Sequence, residues 1–231
     1  MTIQLYDLAA ADERILFSPF CWRVRMALLH KGLPFEIVPW RFSARAATAA
    51  SGHDAVPVLC DGEHWVGDSW DIVNYLEETY PARPALLPPP SGAAHARLVG
   101  ALCGSLVFPA AVAIAVYQAW RILDGDSQPY FRGSREKMFG CSLEALNAGE
   151  SDGRAGLARA LKPFDEVLAL HDYLGGAAPT HADYMLFGVL KWTDIVSSYD
   201  PIDHATPSGR WFDRLQASHG GYAASVPTVR D

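Results

Sequence analysis

Positive charge is scarce in this chain. Its 231 residues carry 19 Lys and Arg against 26 Asp and Glu, a formal net charge of −7. No Lys- or Arg-rich run, helix-turn-helix signature or finger spacing occurs. Nucleic acid is therefore not an expected partner, because phosphate binding needs a basic surface. Cysteine is sparse too: the four, at 21, 60, 103 and 141, include no Cys-x-x-Cys pair. Their spacing suits neither a disulfide framework nor a zinc site, so free thiols in a reducing cytoplasm are expected. The eight histidines include no His-x-x-x-His pair, and no metal is expected. Gly-x-Gly-x-x-Gly, the Walker loop and Gly-x-Ser-x-Gly are all missing, which argues against dinucleotide, nucleoside-triphosphate and nucleophile-elbow chemistry. No basic stretch followed by an apolar run stands at the N-terminus, so no secretory leader is expected. Only Leu98 to Trp120 is long and uncharged enough to span a bilayer. It is rich in Ala and Gly and carries Ser105, Pro109 and Gln118, which predicts a buried helix of a helical domain and no membrane contact.

What is present is ordered. Residues 3–6, 35–38, 57–60 and 64–66 read as strands, and Asp61-Gly62 marks a hairpin between the last two. Helices are expected from Pro19 to Lys31, where Phe20, Val24, Ala27 and Leu28 share one face, and from Ser69 to Tyr80. An irregular helix is expected over 41–51. Strand, helix, strand, helix, strand, strand, helix is the layout of a thioredoxin-like domain, with one parallel pair and one hairpin. Pro81, Pro84, Pro88, Pro89 and Pro90 then form a stiff joint. Helical patterns follow at 94–120, 134–148, 157–173, 182–199 and 207–218, with Pro163 expected to start or kink the third. Gly175-Gly176 and Gly220-Gly221 read as helix stops. The expected architecture is α/β plus all-α: a thioredoxin-like domain at 1–83, a Pro-rich linker at 84–92 and a helical-bundle domain at 93–231.

The segment with most chemistry in it is the start of the first helix. Ser18 stands at the cap, and Pro19 has the backbone angle of a first helical residue. Free N–H groups and the positive end of the helix dipole sit beside a hydroxyl, an arrangement that favours an anion such as a thiolate. Cys21, one turn in, is a candidate redox thiol or a packed side chain. Pro57 opens the third strand, the place for a cis proline in a thioredoxin-like domain, and Val56 before it would keep its N–H and C=O free for an extended peptide ligand. Asp68-Ser69 caps the next helix and could also hold an ammonium and a carboxylate side by side, as an α-amino acid end presents them. Thr180-x-x-Asp183 reads as a structural capping box. Trp40, Phe108, Tyr117, Trp120, Tyr130 and Phe131 are candidates for an apolar pocket as well as for the core.

Ser18-Pro19-Phe20-Cys21-Trp22-Arg23-Val24-Arg25, Val56-Pro57, Asp68-Ser69 and Thr180-x-x-Asp183, with the proline-rich joint between two halves, resemble the cytosolic glutathione transferase superfamily over essentially the whole chain. Trp22-Arg23-Val24-Arg25 is similar to its zeta class. Asp68-Ser69-Trp70, Tyr75-Leu76-Glu77-Glu78, Ser134-Arg135-Glu136 and Ala182-Asp183-Tyr184 resemble more closely the serine-type group of bacterial lignin β-etherases and related fungal transferases. The resemblance implies that Ser18 hydrogen-bonds the sulfur of glutathione as the catalytic residue. Val56, before cis-Pro57, would pair with the cysteinyl backbone, and Asp68 and Ser69 would hold the γ-glutamyl end. It implies glutathione as cosubstrate, a small hydrophobic, preferably aromatic electrophile, a role in detoxification or β-aryl ether cleavage, a homodimer and a cytoplasmic location. A zeta-like isomerase and a non-catalytic glutathione- or ligand-binding protein are the alternatives. Ala55 stands where many relatives carry Lys or Arg, leaving His53, Arg41 and Arg45 as candidates for the glycine carboxylate. Asp68 is one methylene shorter than the Glu or Gln of many classes.

Overall fold

A computed structural model describes residues 2–231. Strand β1 (Ile3–Leu8) is followed by α1 (Pro19–His30), β2 (Phe35–Trp40), a 3-10 segment (Phe42–Ser51), β3 (Val58–Asp61), β4 (His64–Gly67) and α2 (Ser69–Thr79). The sheet order is β2-β1-β3-β4. β1 runs parallel to β2, with Leu5 opposite Ile37, and antiparallel to β3, with Leu5 opposite Leu59. Asp61 and His64 pair across the hairpin, where Gly62 takes the positive φ of 65° that the Asp-Gly turn predicts. This is the thioredoxin-like layout.

The second half is helical: α3 (Gly92–Leu102), a π turn (Cys103–Val107), α4 (Phe108–Ile122), α5 (Ser127–Phe139), α6 (Leu143–Ala148), α7 (Glu150–Leu168), α8 (His181–Val196) and α9 (Pro207–Ser225). The uncharged stretch sits in Gly92–Ile122, which is long and apolar enough by composition to cross a membrane. Ala96, Val99, Val107, Ala111, Ala115 and Ala119 on it are buried, and its helices pack on α7 and α8.

Several boundaries differ from the sequence expectations for identifiable reasons. The helix expected over 134–148 is two: Gly140 takes φ 71° and stops α5, and the Ser142 hydroxyl starts α6 by accepting from Ala145 N–H at 3.2 Å. Pro163 neither starts nor breaks α7, which carries it inside with helical angles throughout. Its ring lies on the exposed side, while Leu157, Leu161, Phe164 and Leu168 are buried on the other. That burial offsets the roughly 3 kcal/mol a mid-helix proline costs. Gly175-Gly176 belongs to a tight turn in which Tyr173 and Gly176 exchange backbone hydrogen bonds of 3.0 and 2.9 Å, well after α7 has ended. Gly220-Gly221 does interrupt α9, with φ 70° and 78°, but one more helical turn follows.

Helix α8 is the axis of the molecule. All its residues except Met185 are buried. It lies against α1, with Phe187 edge-on to Trp22 at 6.1 Å. Gly188 makes the approach possible: a Cβ there would lie 2.3 Å from the carbonyl oxygen of Pro19. The helical half therefore fixes the first residues of α1 in place.

Candidate active site

The loop after β1 turns back on the end of that strand, where Phe17 N–H donates to Leu8 C=O at 3.2 Å. That puts Ser18 at the head of α1, in extended backbone (φ −63°, ψ 126°), with Pro19 as the first helical residue. Ser18 Oγ accepts from Cys21 N–H at 3.3 Å. A hydroxyl that accepts still has its own proton to donate. Ser18 is 4% exposed and lies on the wall of a cavity of about 340 Å³ between the two halves of the chain. That size is ordinary for a small-molecule site.

Cys21 is different. It is fully buried and is not on the cavity wall. Burial, then the nearby Asp7 carboxylate, push its thiol well above the ordinary cysteine range. The expected lowering by a helix terminus is outweighed, because taking a thiolate out of water costs more than the dipole returns. Of the two readings of Cys21, the packed side chain is the one the geometry favours.

A second, polar cleft of about 240 Å³ adjoins the first and shares Phe20, Ala55 and Val56 with it. Its other walls are His53, Asp54, Pro57, Asp68 and Ser69. The Val56–Pro57 peptide is cis. Asp68 caps α2, with Oδ1 accepting from Trp70 N–H at 2.7 Å and Asp71 N–H at 3.4 Å. It does so at φ 65°, ψ 135°, a conformation that costs a non-glycine residue about 1–3 kcal/mol. The carboxylate is exposed, and its second oxygen remains available to a cation. Ser69 is 6% exposed at the first turn of α2. Buried Arg23 lies against the ring of Phe20, one of the shared wall residues, at 4.7 Å. Burial brings its pKa down to about 10, against the pull of Cys103 and Asp68.

The candidates for an incoming glycine carboxylate separate cleanly. Arg45 is bound to Asp54 at 2.9 Å and Arg41 to Glu13 at 3.1 Å. His53 lies on the cleft wall itself, its ring packed so closely over Gly67 that a Cβ there would overlap it.

Of the six aromatic candidates, Trp40, Phe108 and Phe131 line the apolar cavity. Tyr117 and Trp120 pair with each other at 5.6 Å, and Tyr130 lies under Arg45. Sequence reasoning missed Trp192 of α8 and Arg135 of α5 as wall residues. Nothing local marks either as a wall residue, and both arrive there through long-range packing. The Thr180 region is structural: Asp183 accepts from Thr180 N–H at 2.9 Å, Leu174 N–H at 2.7 Å, Gly175 N–H at 3.1 Å and Trp211 Nε1 at 2.9 Å.

Residues 14–84 match the family model "Glutathione S-transferase, N-terminal domain", and residues 94–219 match "Glutathione S-transferase, C-terminal domain". A probable glutathione S-transferase of rice, Oryza sativa subsp. japonica, is 34% identical over 192 residues, covering 79% of this chain and 72% of its own. The maleylacetoacetate isomerase of Rattus norvegicus is 37% identical over 112 residues, covering 43% and 51%. Among solved structures, a glutathione transferase of Phanerochaete chrysosporium superposes with a TM-score of 0.77 at 26% identity, covering 97% of this chain and 94% of that one. A glutathione S-transferase of Ceriporiopsis subvermispora, solved in complex with glutathione, shares the fold at a TM-score of 0.84 and 22% identity, covering 96% and 98%. With both of its halves matched by the family's models, this chain belongs to the glutathione S-transferase family.

Proposed function

We propose that this protein is a serine-type glutathione transferase in which Ser18 stabilises the glutathione thiolate for attack on a hydrophobic, aromatic electrophile. The observation that carries the reading is the meeting of two cavities at Phe20, Ala55 and Val56, one polar and one apolar, with Ser18 on the apolar side of the junction. A peptide backbone in the polar cleft would find Val56, whose N–H and C=O enter no backbone pairing among the described residues. The free oxygen of Asp68 suits an α-ammonium, Ser69 the adjacent carboxylate, and His53 the glycine carboxylate. The cysteinyl sulfur then reaches the head of α1.

The energetics are modest. A free thiol of pKa about 8.5 is only a few per cent ionised at pH 7. Lowering that value by ~2 units takes roughly 2.7 kcal/mol of preferential stabilisation of the anion. A hydrogen bond donated by Ser18 to the thiolate, with the positive end of α1, is of the right size. The proton leaves to solvent, the sulfur attacks the electrophilic carbon, and the leaving group departs with the bonding pair. A β-aryl ether, releasing an aryloxide, is one version of this reaction. A homodimer is part of the same reading.

The test is Ser18→Ala. Glutathione should bind within about tenfold of wild type while kcat falls roughly a hundredfold, the equivalent of ~2.7 kcal/mol. The ultraviolet absorbance of the bound thiolate should titrate about two units higher in the variant. Unchanged turnover and an unchanged titration would remove Ser18 as the activating group. A glutathione-dependent isomerisation is the second reading, favoured by the similarity to the rat isomerase. The largely apolar cavity wall favours conjugation over it.

A further inference from the structure

Apart from Ser18, the wall of the apolar cavity is hydrocarbon and aromatic with a single charged group, Arg135 of α5. The guanidinium carbon of Arg135 lies 4.7 Å from the centre of the Phe131 ring and 6.0 Å from that of Phe42. Its one side-chain hydrogen bond among the described residues goes from Nη1 to Ser134 Oγ at 3.0 Å. Among the described residues no carboxylate pairs with it. The adjacent acid, Glu136, is held by Arg132 at 2.8 Å, and so is Glu144, also at 2.8 Å. Arg41 and Arg45, the other cations near this end of the cleft, have acidic partners of their own. Arg135 is half-buried, and burial pulls its pKa down against the opposing pull of Tyr130.

An unpaired guanidinium against an apolar wall is costly, and an anion delivered to it recovers that cost. The contact with Phe131 restrains the group beside the cavity, and a guanidinium fork can take a carboxylate through two parallel hydrogen bonds. Trp40, Phe108 and Trp192 on the same walls offer faces for an aromatic ring.

We infer that Arg135 is a specificity-determining residue and that the preferred electrophile is an aromatic compound bearing a carboxylate, which Arg135 holds while the ring lies in the aromatic cavity. The inference rests on the transferase reading of Ser18 for its kinetic test, and a binding test stands apart from that reading.

The kinetic probe is 4-chloro-3-nitrobenzoate, compared with its methyl ester. In both, the glutathione thiolate attacks the chlorine-bearing carbon, a C–S bond forms, the C–Cl bond breaks, and chloride leaves with the electron pair. The acid-to-ester ratio of kcat/KM should fall about tenfold or more in Arg135→Gln, through KM for the acid, as loss of a charged hydrogen bond predicts. Arg135→Lys should keep part of the preference, because it keeps the charge but not the fork. A ratio that moves less than about twofold overturns the inference. So does a raised KM for glutathione with the ratio intact, which would give Arg135 to the tripeptide instead.

The binding probe needs no turnover. Quenching of protein fluorescence from the cavity tryptophans by 4-phenylbenzoate should be tighter than by 4-phenylbenzamide in the wild type, and the difference should vanish in Arg135→Gln. Thermal melting confirms that the variant is folded. Loss of the benzoate preference with no glutathione turnover by either protein sinks the transferase reading and leaves the anion site standing. Turnover with equal affinity for benzoate and benzamide does the reverse.

Discussion

Two helices in this molecule begin with the same kind of sequence, and their ends do opposite things. α8 starts at Thr180 with His181 and Asp183 in its first turn; α1 starts at Ser18 with Pro19 and Cys21. The mouth of α8 is closed. Asp183 is fully buried and satisfies three backbone N–H groups and the Trp211 indole. Burial raises its carboxyl pKa above the ordinary value, while the donors pull the other way. The mouth of α1 carries one side-chain hydrogen bond, from Cys21 N–H to Ser18 Oγ, and looks onto a cavity. The anion that α8 needs is supplied by its own chain. The anion that α1 favours has to come from outside. Capping chemistry is common to both, and what differs is whether the neighbouring elements leave room.

The contrast breaks most visibly at the closed end. Asp183→Ala strands four donors, of which Leu174 N–H and the Trp211 indole are buried, and a loss of about 3–5 kcal/mol is expected, read as a lowered denaturant midpoint with an unchanged slope. A loss under about 1 kcal/mol would mean that water replaces the carboxylate and the end is not closed after all.

His181, the first residue of α8, sharpens the same point through pH. Its ring is fully buried beside Trp70, and neither nitrogen has a partner among the described residues. Burial, then Arg23, His30 and Arg97, bring its pKa down to about 3. The unfolded chain takes up a proton near pH 6.5 that the folded state refuses. Stability from this group is therefore complete above about pH 6.5 and is lost as pH falls toward 3, by up to roughly 5 kcal/mol. His181→Phe should flatten the acid limb of a melting-temperature profile. An equally steep limb in the variant would assign the acid sensitivity to other groups.

At the open end the structural effect is smaller and the functional one larger. Ser18→Ala should cost only about 1 kcal/mol of stability, the worth of an ordinary cap, against the hundredfold loss of turnover set out above. A third helix start, that of α2, gives the smallest effect on stability. Asp68→Gly removes both the cap and the strain of φ 65°. Stability should stay level or rise by about 1 kcal/mol, while glutathione affinity by titration calorimetry weakens several-fold. A stability loss together with intact affinity would mark Asp68 as a cap and nothing more.

Much of the N-terminal half was legible from short-range pattern. The Asp61-Gly62 hairpin, the strands around it and the Ser18 and Asp68 caps depend on residues within a few positions of one another. The helical half was harder. Gly140 splits one expected helix, and Pro163 sits quietly inside another, because in each case the outcome turned on which face was packed. The fate of Cys21 followed from burial next to Asp7, which one-dimensional spacing does not report. That Arg135 and Trp192 stand on the cavity wall was not legible, since a cavity wall is a property of helices that meet.

The sequence by itself determined where α1, α2 and α9 begin, that Ser18 and Asp68 cap the first two, and that a small α/β unit precedes a helical one. Those choices are made by hydrogen bonds and side-chain periodicity over a few residues. Only the tertiary structure decided that one helix mouth is sealed and another open, and that a lone guanidinium stands on the cavity wall. The reason is physical: solvent exclusion depends on what lies on top of a group, and the approach of Gly188 to Pro19 is what brings the two halves close enough to enclose it.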